Sequence, residues 1–135
     1  MRFMIIRKAD AETEAGAEPT QELITAMLAY NQQMIDAGVF IDGAGLKRSA
    51  RGARVSFSNG KPTVTDGPFT ESKELVAGFS ILEVGSKEEA IEWVKQWPSL
   101  DGHGNVQIEI RELFSASDFG AAVEEQFRNL EARKE

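Results

Sequence analysis

Residues 75–98 read LVAGFSILEVGSKEEAIEWVKQWP, and their period changes part-way along. Val76, Phe79, Ile81, Leu82 and Val84 form a dense apolar run of strand character. Gly78 interrupts it, as at a bulge or a close backbone approach. Ser86-Lys87-Glu88-Glu89 then matches a capping box, with Ser and Glu three apart. Ala90, Ile91, Val94 and Trp97 follow at helical spacing until Pro98 ends the helix. Further on, Val106, Ile108 and Ile110 alternate with Gln107, Glu109 and Arg111, the pattern of a half-buried strand. This part of the chain is strand, helix, strand.

The preceding part repeats that order. Phe3, Met4, Ile5 and Ile6 are all apolar, which suits a strand covered on both faces. Residues 8–18, KADAETEAGAE, are small and polar without period and predict a loop. After Pro19, Leu23, Ile24, Met27, Leu28 and Ile35 fall on one stripe, which predicts a helix over 20–37 stopped by Gly38. Val39-Phe40-Ile41 starts a strand that Asp42-Gly43-Ala44-Gly45 is expected to break. Residues 54–58 alternate, Asn59-Gly60 is a strong hairpin signal, and Lys61–Thr65 return as an edge strand because of Pro62. Residues 117–133 read as a polar helix with Phe119, Val123, Phe127 and Leu130 along one stripe.

The predicted architecture is therefore α+β, a ferredoxin-like βαββαβ domain over 1–114 with an inserted β-hairpin and an extra C-terminal helix at 115–135. Helices cover one face of its sheet. The other face, bearing Phe3 and Ile5 or their neighbours, needs a second cover. A second copy would supply it and make a homodimeric α+β barrel.

Composition limits the function. Apolar residues make up 41% and charged residues 27% of 135, enough for one packed core and too apolar for a disordered chain. A net charge of −7 disfavours a broad nucleic-acid surface, since phosphate attracts Lys and Arg. No apolar run is long enough for a membrane span, and the run before Arg7 is too short for the centre of a secretory signal. With no cysteine there is no thiol nucleophile or thiolate zinc site, and a cytoplasmic location is the simplest expectation. A single histidine, His103, excludes an all-histidine metal centre; neither a metal nor a cofactor is expected.

Several residues could carry chemistry. Asp66-Gly67-Pro68-Phe69-Thr70-Glu71-Ser72-Lys73-Glu74 packs carboxylates and a lysine around a rigid turn able to overhang a cleft, though a plain surface turn accounts for it too. His103 lies between Gly102 and Gly104, accessible and within reach of tuning by Asp101. Tyr30 is one position off the apolar stripe and able to border a pocket. Asp42-Gly43-Ala44-Gly45-Leu46 lacks phosphate-loop spacing. Lys47, Arg48, Arg51 and Arg54 gather four cations that would suit a small anion or simply a solvated loop. Trp93 and Trp97 read as packing residues.

Val64-Thr65-Asp66-Gly67-Pro68-Phe69-Thr70-Glu71-Ser72-Lys73-Glu74-Leu75-Val76-Ala77-Gly78-Phe79, followed by Ile81-Leu82-Glu83-Val84 and Glu88–Trp93, resembles the Asp-Gly-Pro-Phe (DGPF) branch of the YCII-related proteins. The resemblance extends over about residues 1–114 and implies the dimeric α+β barrel fold. The wider family includes a dehydrochlorinating enzyme type for which a His–Asp pair is proposed. The segment Ala26-Met27-Leu28-Ala29-Tyr30 matches the place of that histidine, and Met27 stands there. A thioether moves no protons, so that mechanism does not transfer.

Two functions follow as expectations. The first is a homodimer that binds a small molecule between the first helix and the sheet, near the Asp66–Glu74 loop, extending to a lyase- or isomerase-type enzyme. Asp66 would form the turn, Tyr30, Phe69 and Lys73 would meet the ligand, and Glu74 or His103 would accept a proton. The second, implied by resemblance to products encoded beside extracytoplasmic-function sigma factors, is a non-catalytic regulatory module with a sigma-factor partner.

Overall fold

β1 (Arg2–Lys8) buries every second residue, so that Phe3, Ile5 and Arg7 share the inner face. It is a central strand, antiparallel to both β5 (Val76–Glu83) and β6 (Ile108–Glu112). β2 (Phe40–Gly45) joins the outer side of β5, and the sheet runs β2-β5-β1-β6. With the separate hairpin β3 (Ala53–Ser58) and β4 (Lys61–Asp66) set aside, that is the ferredoxin-like strand order. The chain described is a computed structural model covering residues 1–134; of Lys73 only the backbone is described.

α2 (Gln21–Asp36) begins where the Thr20 side chain accepts the Leu23 N–H, and ends at Ala37 before Gly38 at φ 75°. α3 (Lys87–Val94) starts with half of the expected box: Ser86 accepts from Glu89 N as N-cap, but the Glu89 carboxylate accepts from Gly85 N, one residue before the cap, instead of from Ser86 N. Both helices lie on the inner face. Tyr30, Met34 and Ala90 pack there against Phe3, Ile5, Leu82 and Val84. Ile5, Met34 and Leu82 are the largest fully buried side chains, and each contributes roughly 1.5–3 kcal/mol. The ambiguity over which β1 residues face outward resolves by alternation. Phe3 and Ile5 are core, whereas Met4 and Ile6 lie on the opposite face with Phe79 and Ile81.

Three expectations change. Asp42-Gly43-Ala44-Gly45 does not break the strand: the ladder to β5 carries it through, with a register slip between Phe40 and Asp42. The 8–18 loop contains a short helix, α1 (Ala11–Glu14), fixed by a reciprocal cap in which Asp10 accepts from Thr13 N and Thr13 Oγ1 accepts from Asp10 N. The C-terminal helix is split: a 3-10 turn over Ala116–Phe119 and Gly120 at φ 92° precede α4 (Ala121–Lys134). The hairpin forms on Asn59 and Gly60, both at positive φ as its tight turn requires. No helix among the described residues is long and apolar enough to cross a membrane.

Candidate functional site

Along most of the inner face, neighbouring strands send side chains up against the helices. At the β2 end they do not. Gly43 pairs with Ser80 and Gly45 with Gly78, and these positions share the face of Ile5 and Arg7. A side-chain-poor floor therefore lies beneath α2. It opens a cavity of about 860 Å³ between that helix and the sheet, within the size range of small-molecule sites. Met27, Tyr30 and Met34 of α2 form one wall, and Phe40 of β2 lines it too. A Cβ on Gly45 would meet nothing within 4 Å, so this stretch of floor is open space.

The cavity ends at a buried ion pair. Arg7 follows Phe3 and Ile5 onto the inner face and is 7% exposed. Its Nη2 donates to Asp101 Oδ1 at 2.7 Å and its Nε to Asp101 Oδ2 at 3.1 Å, a bidentate pairing. Nη1 donates to the Lys8 carbonyl and to Asp10 Oδ2. Trp97 Nε1 donates to Asp101 Oδ2 at 2.9 Å, and the Trp97 ring meets Tyr30 edge-on at 5.7 Å. Tyr30 Oη donates to the Trp93 carbonyl at 2.7 Å. Burial alone would push the Asp101 carboxyl up, but the hydrogen bonds from Arg7 and Trp97 and the Arg7 charge outweigh it and hold it below the usual carboxylate range. The same bond to Asp101 is the main reason that Arg7 is raised. Burial pushes the Tyr30 phenol up to about 12. Asp101 is thus a fixed anion and Tyr30 a neutral phenol.

His103 stands at the mouth. Gly102, His103 and Gly104 have φ of 58°, 57° and 81°, three left-handed residues in a row. For His103 that conformation is strained by about 1–2 kcal/mol. Gly102 is required: a Cβ there would lie 2.6 Å from Val106 Cγ1 and 3.3 Å from Arg7 Nη2. The turn presents His103 Nε2 to both carboxylate oxygens of Glu12 at 3.2 Å. Asp101 is committed to Arg7 and Trp97, so the carboxylate partner of His103 is Glu12, contrary to the pairing expected from sequence.

Of the residues expected at a site, Tyr30 and His103 line this cavity. Asp66, Phe69 and Glu74 do not. Asp66 closes β4 opposite Ala53 and is exposed. Phe69 lies under Arg54, whose guanidinium carbon is 3.8 Å from the ring centroid, and its N–H donates to Ser49 Oγ at 3.0 Å. Glu74 is exposed and meets Lys8 Nζ through its carbonyl at 3.5 Å. The Lys73 side chain lies outside the described residues. Sequence reasoning passed over Arg7 and took Trp97 for packing alone. The signal for Arg7 was present: a cation in phase with Phe3 and Ile5 on a strand needs a buried partner. Among the described residues no three His, Asp or Glu side chains gather as metal ligands.

The domain profile of the YCII-related proteins matches residues 1–113. The chain belongs to the YCII-related family. Within this YCII-related domain, Met27 lines the cavity one helical turn from Tyr30. An uncharacterised protein of Rhizobium meliloti is 28% identical over 78 residues, spanning 58% of this chain and 63% of that protein. The match thus covers less than two thirds of that relative. The chain is also similar to the solved structure of 5-chloro-2-hydroxyhydroquinone dehydrochlorinase from Burkholderia phenoliruptrix, a complex with 2,5-dihydroxybenzoquinone. The TM-score is 0.48 at 19% identity, over 90% of this chain and 100% of that one.

Proposed function

We propose that this YCII-related protein is a homodimer that binds a small organic molecule in the cleft between α2 and the β2–β5 edge of the sheet. One observation carries the reading: an otherwise packed inner face is left without side chains at Gly43, Gly45 and Gly78, and the space ends at a polar cluster whose members already satisfy one another. A mainly apolar pocket with a few fixed polar groups is the usual form of a ligand site. Tyr30, with Met27, contacts the ligand. His103, the chain's one imidazole, stands at the mouth as the proton-transfer group, with Glu12 orienting it. That extends the reading to lyase- or isomerase-type chemistry. Asp66 and Phe69 act indirectly, by holding the segment around Ser49 that borders the cavity. Neither the family match nor the geometry supports the sigma-factor alternative.

A thermal-shift screen of metabolites tests the reading, because a ligand of the folded state raises the melting temperature. Compounds that stabilise the native chain are expected to leave Gly45→Leu unmoved, since leucine at that open position fills the floor. Equal stabilisation of both proteins would place the ligand elsewhere.

A further inference from the structure

The cavity edge next to β2 is basic, although the chain carries a net charge of −7. Lys47, Arg48 and Arg51 all border it. Among the described residues none of the three is ion-paired to a carboxylate. Arg48 Nη1 donates instead to a neutral acceptor, the Ala15 carbonyl, at 3.3 Å. The acids around the same cavity are mostly engaged elsewhere. Asp10 and Asp101 serve Arg7, Glu12 faces His103, and Glu18 remains. Glu14, which reaches this segment, turns its carboxylate to Ser49 N and Oγ.

The basic edge is held in place. A Cβ on Gly16 would come within 2.7 Å of Arg48 Nη1, so a glycine admits that guanidinium. Ser49 Oγ accepts from Phe69 N at 3.0 Å, and Gly67 N donates to the Gly52 carbonyl at 3.0 Å. Gly67 packs so closely that a Cβ there would lie 1.8 Å from the Ser49 carbonyl oxygen. The Asp66–Phe69 turn is thus a clip on the segment bearing the cations. Like charges fixed on a short segment repel one another, and an incoming anion relieves that repulsion.

We propose that the ligand of this cavity carries an anionic oxygen group, held by Lys47, Arg48 and Arg51, with its uncharged body lying along Met27 and Tyr30 above the glycine floor. The inference rests on the small-molecule reading above. Two fluorescent probes of nearly the same shape separate the two: anilinonaphthalene sulfonate, an anion, and N-phenylnaphthylamine, its neutral counterpart. The native chain is expected to bind the sulfonate about tenfold more tightly, a difference of about 1.4 kcal/mol. The preference should shrink as salt rises. The double variant Lys47→Gln/Arg51→Gln leaves the Arg48 contact with Ala15 intact; it should lower sulfonate affinity towards that of the neutral probe without changing the latter. Gly45→Leu should weaken both. Equal native affinities, both lost in Gly45→Leu, would overturn the anion preference and leave the cavity reading standing. Sulfonate binding that ignores Gly45→Leu would place the probe outside the cavity and overturn the inference. Binding of neither probe would overturn the cavity reading and the inference together.

Discussion

Arg7 shows how one residue organises the inner face. Its side chain is 8% exposed and its main partner, Asp101, 12%, so their attraction is little screened, while both have lost most of their water. The pair is best regarded as interdependent: removing one member leaves an uncompensated charge. Asp101→Asn should destabilise the fold by roughly 2–4 kcal/mol near neutral pH, somewhat less than a fully buried broken pair because Asp10 remains beside Arg7. Urea unfolding measures this. The pH dependence has a definite sign. Because the folded-state carboxyl of Asp101 lies below its ordinary value, its contribution is complete above the unfolded carboxyl's range, near about pH 4, and is lost as pH falls through the folded value. Asn at this position should therefore flatten the acid limb of the stability curve, and an unchanged limb would remove Asp101 as its source. Tyr30 gives a second test because it is the chain's only tyrosine. Its phenol is raised to about 12, so near about pH 10 the native chain should show little phenolate absorbance, whereas in urea about half should be ionised. The stability tied to the neutral phenol is full below the unfolded value and falls as pH rises towards the folded one.

At the scale of elements, the parts that could be read from sequence are those set by local periodicity and turn chemistry. The stripe from Leu23 to Ile35, the Ser86 cap and the Asn59-Gly60 turn each give a structure within a residue or two of the one observed. α1 escaped notice because its cap pairs Asp10 with Thr13 rather than with the usual Glu or Gln, and its residues have no apolar stripe. The glycine floor was hidden for another reason. Gly43 and Gly45 read as breakers along the chain, and only the pairing with Ser80 and Gly78 turns them into missing side chains on one face. Arg7 and Asp101 are 94 residues apart in sequence, so no local pattern joins them. The role of the Asp66–Phe69 turn likewise depends on a distant neighbour, the 3-10 turn at Ser49–Arg51. Gly67→Ala would force its Cβ into the Ser49 carbonyl, and backbone cannot rotate away as a flexible side chain can. A loss of about 1–3 kcal/mol is expected. Hydrogen exchange should show the 48–52 amides opening more readily, with those of β1 unchanged. Unaltered exchange at the Gly52 and Phe69 amides would show that the turn is no clip.

For the whole molecule the question is what covers the outer face of the sheet. α2 and α3 occupy the inner side, and α4 packs chiefly on the 3-10 turn at Ala116–Phe119. Met4, Ile6, Phe79 and Ile81 are left half-buried on the outer side. Hairpin residues Val55, Phe57 and Val64 are 55%, 71% and 65% exposed on one face of a two-stranded sheet, an arrangement of marginal stability without a partner. In the proposed homodimer these apolar residues are the surface that association would cover. A two-fold mate would set the same patch against itself, each Ile6 lying within the apolar field of the other chain. Sedimentation at micromolar concentration should then report two chains, and Ile6→Lys together with Ile81→Lys should give one chain. The far-ultraviolet dichroism should be retained, because both side chains point away from the core. The cavity supplies an independent check. Its floor and the α2 wall are built by the chain's own β2, β5 and α2, so the separated variant should still bind the anionic probe and still lose it on Gly45→Leu. A native chain that sediments alone would leave the outer face without its proposed cover. Loss of probe binding on separation would instead show that the mate holds the cavity in shape.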